Sequence, residues 1–268
     1  MRTKVSVALN GQELHALDEA IILQSVQEQT PAWNISAADR ASGTGQRLTG
    51  FQRRYRDIII QFAIDDKNIT RREEILQKVA GWGNGGGSMT VNYRDRQRLR
   101  VICTGLPAVT GVEKLANVFQ INFRALNVPM WEDIDETAVT VSSTASGSAS
   151  MRIRANGGGK LRAEATNSSG STCDTVTISA GGRSISFAGL GLANGETLIM
   201  DYTAEDIQRI RIRNGTTYRS VMDKRTAGQN STIISADDIL LSQGENTITV
   251  TSGQALEWKL YTFGRWIG

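Results

Sequence analysis

Asn-Gly and Gly-Gly turns punctuate the C-terminal half of this sequence, and that feature restricts its fold more than any other. They fall at Asn156-Gly157, Gly181-Gly182, Asn194-Gly195 and Asn214-Gly215, with Gly244 beyond. Both residue types tolerate the positive φ that a tight hairpin turn demands. Between the turns lie short runs suited to strands, at 175–179, 184–187, 197–202, 208–213, 246–251 and 256–263. Short strands with frequent turns build a β-sandwich or jelly roll. Upstream, residues 142–150 are rich in serine and read as a linker, or a linker joined to a strand edge. The expected domains are therefore 1–136 and 137–268.

The first half reads as β with one helix. Val5, Val7 and Leu9 alternate with polar residues and run into Asn10-Gly11, a hairpin signal. A second apolar stretch occupies 20–26, and residues 57–64 have the β-branched and aromatic content of a buried strand. Thr70 and Glu73 are spaced as a capping box. Ile75, Leu76, Val79 and Trp82 follow as the apolar stripe of a helix, which the cluster Gly83-Asn84-Gly85-Gly86-Gly87 ends. Runs at 89–94 and 99–104 suit a hairpin turning at Asp95-Arg96. Residues 118–125 alternate cleanly, with Phe119, Ile121, Phe123 and Ala125 on one side. Only 27–56 lacks periodicity; it is polar and irregular, with Pro31, Gly43, Gly45 and Gly50. Such a stretch inside a compact domain is either a segment that reaches a partner or a surface loop.

Bulk properties narrow the function classes. The 268 residues are 40% hydrophobic, enough to bury a core in each of two domains. Thirty Lys and Arg against 27 Asp and Glu leave a charge of +3, a small surplus for general nucleic-acid binding. Cys103 and Cys173 fall in different expected domains and read as two reduced thiols. Met1-Arg-Thr-Lys-Val5 lacks the apolar core of a signal peptide, and the apolar runs are too short to cross a bilayer. The expectation is a soluble protein made in the cytoplasm.

No catalytic constellation emerges. His15 is the single histidine, with no Ser or Cys placed to form a nucleophile pair. Gly157-Gly-Gly-Lys160 is followed by Leu161 where a phosphate loop needs Ser or Thr, and Ile153 and Arg154 replace the upstream glycine. Gly189-Leu-Gly191 lacks the third glycine of a dinucleotide loop, so tight β-turns explain both. The acidic pairs Asp65-Asp66, Glu132-Asp133 and Asp237-Asp238 would serve a glycosidase only if two carboxylates faced each other across a cleft. No metal, no cofactor and no catalytic residue is expected.

Arginine is the conspicuous charge. Arg94, Arg96, Arg98 and Arg100 alternate, so one continuous strand would put all four on a face, whereas a turn at Asp95-Arg96 would gather them at a hairpin tip. Arg47, Arg53, Arg54 and Arg56 form a second group. Three roles stay open. One is a solvated face; another is nucleic-acid contact, with only Tyr55 and Tyr93 nearby to stack on bases. The third is ion pairing between subunits, to acids such as Glu132, Asp133, Asp135 and Glu136.

The order of these features resembles the siphophage distal tail protein family. The first half carries Gly45-Gln-Arg47-Leu-Thr-Gly50, a strand from Tyr55 and the helix Arg71-Arg-Glu-Glu-Ile-Leu-Gln-Lys-Val-Ala-Gly-Trp82. A Tyr93-Arg-Asp95 hairpin tip, Phe119-Gln-Ile-Asn-Phe-Arg-Ala125 and Pro129-Met-Trp-Glu-Asp133 follow. The second half adds Asn194-Gly-Glu-Thr-Leu-Ile-Met-Asp201, Leu241-Ser-Gln-Gly-Glu-Asn246 and a final Arg265-Trp-Ile-Gly268. The resemblance spans nearly the whole chain through order and pattern, with no single diagnostic motif.

It implies a non-catalytic structural subunit of a phage tail tip, made in the host cytoplasm. Residues 1–136 would be a β-sandwich or barrel-like domain with one helix, closing into a hexameric ring, with 27–50 as the clasp. Residues 137–268 would be a jelly-roll sandwich similar to galectins or carbohydrate-binding modules. The implied partners are further copies of the chain, the major tail tube protein and a tail-associated hub protein, with DNA only passing through the lumen. The two arginine groups, with Glu132 and Asp133, become candidates for the subunit interface. The competing reading is an adsorption protein that binds host cell-wall carbohydrate through its C-terminal sandwich. Trp258, Tyr261 and Trp266 are then the candidate sugar contacts, although Trp258 shares a strand face with Leu260, which favours the core.

Overall fold

The structure, a computed structural model, describes residues 5–29, 33–39, 46–53, 55–107, 118–125, 128–203, 205–226 and 238–267; within 33–53 the description is essentially of the backbone. The chain divides into two compact units, Met1–Glu132 and Asp133–Ile267, where composition suggested 136/137. The described residues are mainly β, with one α-helix.

In the first unit, β1 (Val7–Leu9) and β2 (Gln12–Glu13) form the N-terminal hairpin, with Asn10 and Gly11 at φ 52° and 82°. There follow β3 (Ile21–Glu28), β4 (Trp33–Asp39), β5 (Gln46–Arg53), β6 (Arg56–Ile64), α1 (Ile69–Gly83), β7 (Gly87–Val91), β8 (Gln97–Gly105), β9 (Val118–Ala125) and β10 (Trp131–Asp133). The sheet runs β2-β1-β7-β8-β9-β6-β3, and β10 flanks β8. Strict alternation on β6 buries Arg56, Ile58, Ile60, Phe62 and Ile64. Across the ladder, Ile58, Ile60 and Phe62 face Phe123, Ile121 and Phe119 of β9.

The helix covers this layer with the stripe read from sequence, Ile75, Leu76, Val79 and Trp82, all buried. Trp82 meets Phe123 edge-on at 5.9 Å and donates from Nε1 to the Gln12 carbonyl at 2.8 Å. The helix start differs from the capping-box expectation. Asn68 caps it, its Oδ1 accepting from the amides of Thr70 and Arg71, because the helix begins one residue before Thr70. On the flank, Arg71 and Lys78 both reach the buried Asp18 carboxylate, at 3.0 and 2.9 Å.

The second unit contains β11 (Thr137–Ile153), β12 (Gly159–Lys160), β13 (Arg162–Asn167), β14 (Val176–Ala180), β15 (Arg183–Phe187), β16 (Thr197–Tyr202), β17 (Gln208–Asn214), β18 (Thr217–Ser220), β19 (Arg225–Thr226), β20 (Leu240–Leu241), β21 (Gly244–Thr262) and β22 (Arg265–Trp266). Two expectations are corrected here. The serine-rich stretch is no linker: it belongs to the 17-residue β11. The runs expected at 246–251 and 256–263 are one 19-residue strand, β21, paired with β11 along its length. The C-terminal half of β21 pairs with β13, and its N-terminal half pairs with β14. Bulges in β11 between Val141 and Ser146 bend the long pair between those halves. Serine suits such a place because its outward hydroxyl stays solvated while Val139, Val141 and Ala149 turn inward. The shared core holds Trp258, Leu260, Met200, Ile212, Phe187 and Ile248.

Gly85 and Gly86 after α1 both hold φ near +79° and +78°, but their surroundings differ. A Cβ on Gly85 meets nothing within 4 Å, whereas one on Gly86 would sit 2.2 Å from the Val101 carbonyl oxygen. Gly85→Ala should therefore cost about 1 kcal/mol, from left-handed backbone alone. Gly86→Ala should cost about 3 kcal/mol, because a β8 backbone atom cannot yield. Urea unfolding of the two variants, monitored by near-UV circular dichroism, checks the ranking.

Candidate functional site

The described residues of the 27–56 stretch are in strands or beside them, where an irregular segment was expected, and 30–32, 40–45 and 54 lie outside the described residues. Its β4 and β5 form an antiparallel ribbon of their own, from Trp33 opposite Arg53 to Asp39 opposite Gln46, with a bulge at Ser36/Ala37. The alternation that reveals strands is blurred there by the bulge and by polar residues on both faces. Among the described residues the ribbon pairs with no other strand. Seven residues of β4 extend about 23 Å. A lone two-stranded ribbon is marginal in water, so this one depends on its base and on whatever it lies against.

The base is built where β3 ends and β6 begins. Glu28 stands opposite Ile58, so its side chain points to the core side of the sheet, at the end of the layer. Arg56 is 2% exposed; its Nη1 donates to Glu28 Oε2 at 3.0 Å and its Nε to the Pro129 carbonyl at 3.1 Å. Arg94 binds Glu28 through Nε and Nη2, both at 3.0 Å, and its guanidinium lies 5.2 Å over the Trp131 ring. Trp131 Nε1 and the Tyr93 hydroxyl also donate to Glu28, each at 2.8 Å. On the opposite face Arg124 grips Asp57 at 2.7 and 3.0 Å and stacks on Tyr55 at 3.6 Å. The Gln29 amide donates to the Asp57 carbonyl at 3.0 Å. Both chain ends of the ribbon are thus clamped.

Burial alone would push the Glu28 carboxyl up. The hydrogen bonds from Arg94, Trp131 and Tyr93 and the charge of Arg94 outweigh it, and the group sits below its usual 4.5. Burial, with Glu28 beside it, raises the Tyr93 phenol well above its ordinary value. Two cations and two neutral donors around one carboxylate give a positioning device with no free base and no nucleophile.

The arginine candidates separate under this geometry. The chain turns at Arg96, φ 57°, so the alternating arginines gather around a hairpin tip and do not line one strand face. Arg56 and Arg94 are engaged inside their own subunit with Glu28, and Arg100 Nε lies 3.9 Å from the buried Glu132. Arg96 is exposed and Arg98 half-buried at the tip. Arg47 and Arg53 lie on β5, where only the backbone is described, and Arg54 lies outside the described residues. Asp133 accepts from Trp266 Nε1 at 2.7 Å, and burial raises its pKa. Glu28, the centre of the site, carried no signal in the sequence, because its partners stand 28 to 103 residues away.

In the second unit Trp258 is 2% exposed within the core and Tyr261 8% exposed, so neither presents an open ring face; Trp266 is half-buried. Lys160, of the glycine-rich turn, pairs with Asp206 at 2.8 Å and Asp238 at 2.5 Å, and Gly158 packs against the Leu241 carbonyl. That turn is structural. His15 pairs with Glu13 at 3.0 Å, and both cysteines are free thiols. Among the described residues no cluster of three or more His, Cys, Asp or Glu could hold a metal ion.

A carboxylate held below its unfolded pKa stabilises above that value, and the stabilisation fades as pH falls through the folded one. The first unit should therefore lose stability below about pH 4.5. Glu28→Gln should flatten that acid limb and cost about 3 kcal/mol at neutral pH, since it removes the charge on which buried Arg56 and Arg94 converge. Thermal unfolding of both proteins between pH 3 and 7 measures the two effects.

No family model and no curated protein matches the sequence. Among solved structures, the fold corresponds to the SPP1 Dit (gp 19.1) protein, described as a paradigm of hub adsorption apparatus in Gram-positive infecting phages. The TM-score is 0.69 at 12% identity, over 98% of this chain and 100% of that one. A chain of the phage P2 baseplate in its activated conformation aligns at TM-score 0.49 and 7% identity over 97% of each chain, too distant to carry an argument. The chain has the fold of a phage tail hub protein along its whole length.

Proposed function

We propose that this chain is a non-catalytic structural subunit at the tip of a phage tail. In this reading its first unit closes into a ring, six-fold by the family resemblance. The ring joins the tail tube protein on one side to a tail-tip hub protein on the other, and DNA passes through the lumen. The observation that carries the reading is the correspondence of fold with the SPP1 hub protein over 98% of this chain and 100% of that one.

The physics of the first unit supports it. A closed ring repeats one heterologous interface, and each subunit must offer a surface that its neighbour can complete. The β4–β5 ribbon is such an element: marginal alone, clamped at its base, and long enough to lie across an adjacent copy. Strand β3 adds an eight-residue sheet edge, paired among the described residues with β6 alone and carrying the partly exposed Ile22. Ordering the ribbon against a neighbour is offset by the area it buries there.

Native mass spectrometry, run with and without tail tube protein, tests the reading. The full chain should close into one defined oligomer. A variant with 33–53 replaced by a short Gly-Ser link should fold, as its circular dichroism reports, yet stay monomeric. A full chain that is monomeric even beside tube protein would contradict the ring. A ribbonless chain that still closes would contradict the clasp.

A further inference from the structure

The second unit leaves one edge of its sheet open. Strand β18 pairs with β17 and, among the described residues, with no other strand. The Val221 amide donates to the Ile210 carbonyl at 3.1 Å, so by alternation Arg219 and Thr217 hold the bonded positions opposite Ile212 and Asn214. Tyr218 and Ser220 therefore turn their amides and carbonyls to the open side. All four residues of β18 are exposed. An edge of this kind is a template for one more strand.

The sheet face beside this edge is basic. Register sets Arg209, Arg211 and Arg213 of β17 opposite Asp201, Ile199 and Thr197 of β16, and Tyr218 opposite Arg213. They share the face away from the core, since Ile210 and Ile212 turn inward. Arg209 grips the Asp201 carboxylate at 3.0 and 2.7 Å, and Arg211 Nη2 reaches the same group at 3.1 Å. One carboxylate thus answers two guanidinium groups. The Arg213 side chain has no partner among the described residues, so positive charge is in excess next to the open edge. The Arg211 guanidinium also lies 4.3 Å over the Tyr218 ring, which is 52% exposed. Arginine and tyrosine are the side chains on which interface energy concentrates.

The chemistry selects the occupant. A second copy is disfavoured, because pairing edge to edge would bring two arginine rows together. A phosphate polymer would answer the arginines but offer nothing to the Tyr218 and Ser220 carbonyls, whereas a peptide strand supplies both donors and acceptors. Strand residues alternate, so carboxylates at every second position would all fall on the arginine side. An added strand would lie about 10 Å from β17, two strand spacings, which an arginine and a glutamate span together. We propose that β18 accepts an extended acidic segment of another protein as an added strand, its carboxylates reaching over Ser220 and Tyr218 to Arg211 and Arg213. The proposal concerns only the second unit and is independent of ring formation.

Fluorescence anisotropy on the full chain tests it, with short end-blocked peptides that alternate Glu-Thr, Lys-Thr or Glu-Pro, and with labelled polyphosphate. The Glu-Thr peptide should bind about 10-fold more tightly than the Lys-Thr peptide, as expected for one charged hydrogen bond. The Glu-Pro peptide carries the same charge but cannot build a ladder, and should bind no better than Lys-Thr. Hydrogen exchange read by mass spectrometry should slow across β18 when the Glu-Thr peptide is present. Arg213→Glu should weaken the Glu-Thr peptide about 10-fold and strengthen the Lys-Thr peptide, a reversal that a misfolded chain cannot give. Equal binding of the Glu-Pro peptide, tighter binding of polyphosphate, or an oligomer of the chain that is lost with Arg213→Glu would each overturn the proposal.

Discussion

Glu28 collects four side-chain donors, Arg56, Tyr93, Arg94 and Trp131, that the chain delivers from two strands and one turn. The carboxylate ends β3, Arg56 begins β6, the Tyr93-Arg94 pair forms the β7–β8 turn, and Trp131 opens β10. Four segments that meet at this end of the sheet are tied to one charge. A buried ion pair is a weak source of net stability; here it fixes the relative placement of two guanidinium groups and an indole around one carboxylate. That constraint converts a marginal ribbon into an arm with a defined root.

The second unit solves a different problem with apolar packing. Two long strands, β11 and β21, pair along their length and run from the β13 side of the unit to the β14 side. Their inward residues belong to one core, and the bend between the halves needs no ion pair because bulges supply it. What remains outside is polar and solvated. The two units are thus each held together by different chemistry, a buried carboxylate hub in the first and apolar packing in the second.

Much of this was legible in the chain itself. The Asn10-Gly11 turn, the β6 and β9 alternations and the α1 stripe each follow from period and turn chemistry alone. The misses share a cause. Asn68 outranked Thr70 as cap because the helix extends one residue further back than its apolar stripe requires. The ribbon hid because a bulge breaks its period, and β11 read as a linker because serine composition is silent about a strand whose partner lies over a hundred residues away. Glu28 was invisible for the same reason: no local rule marks a residue whose meaning comes only from distant partners. The arginines stood out, yet Arg56 and Arg94 hold the subunit together internally, a distinction that charge patterns do not carry.

The central claim is that the ribbon rooted at Glu28 and Arg56 clasps a neighbouring copy at a tail tip. Direct imaging of intact tails by electron cryomicroscopy tests this most directly. A ring of this chain should stand at the end of the tail tube, with β4 and β5 of each copy lying across the next. A tip that lacks the chain, or a ribbon folded back on its own subunit, would contradict it.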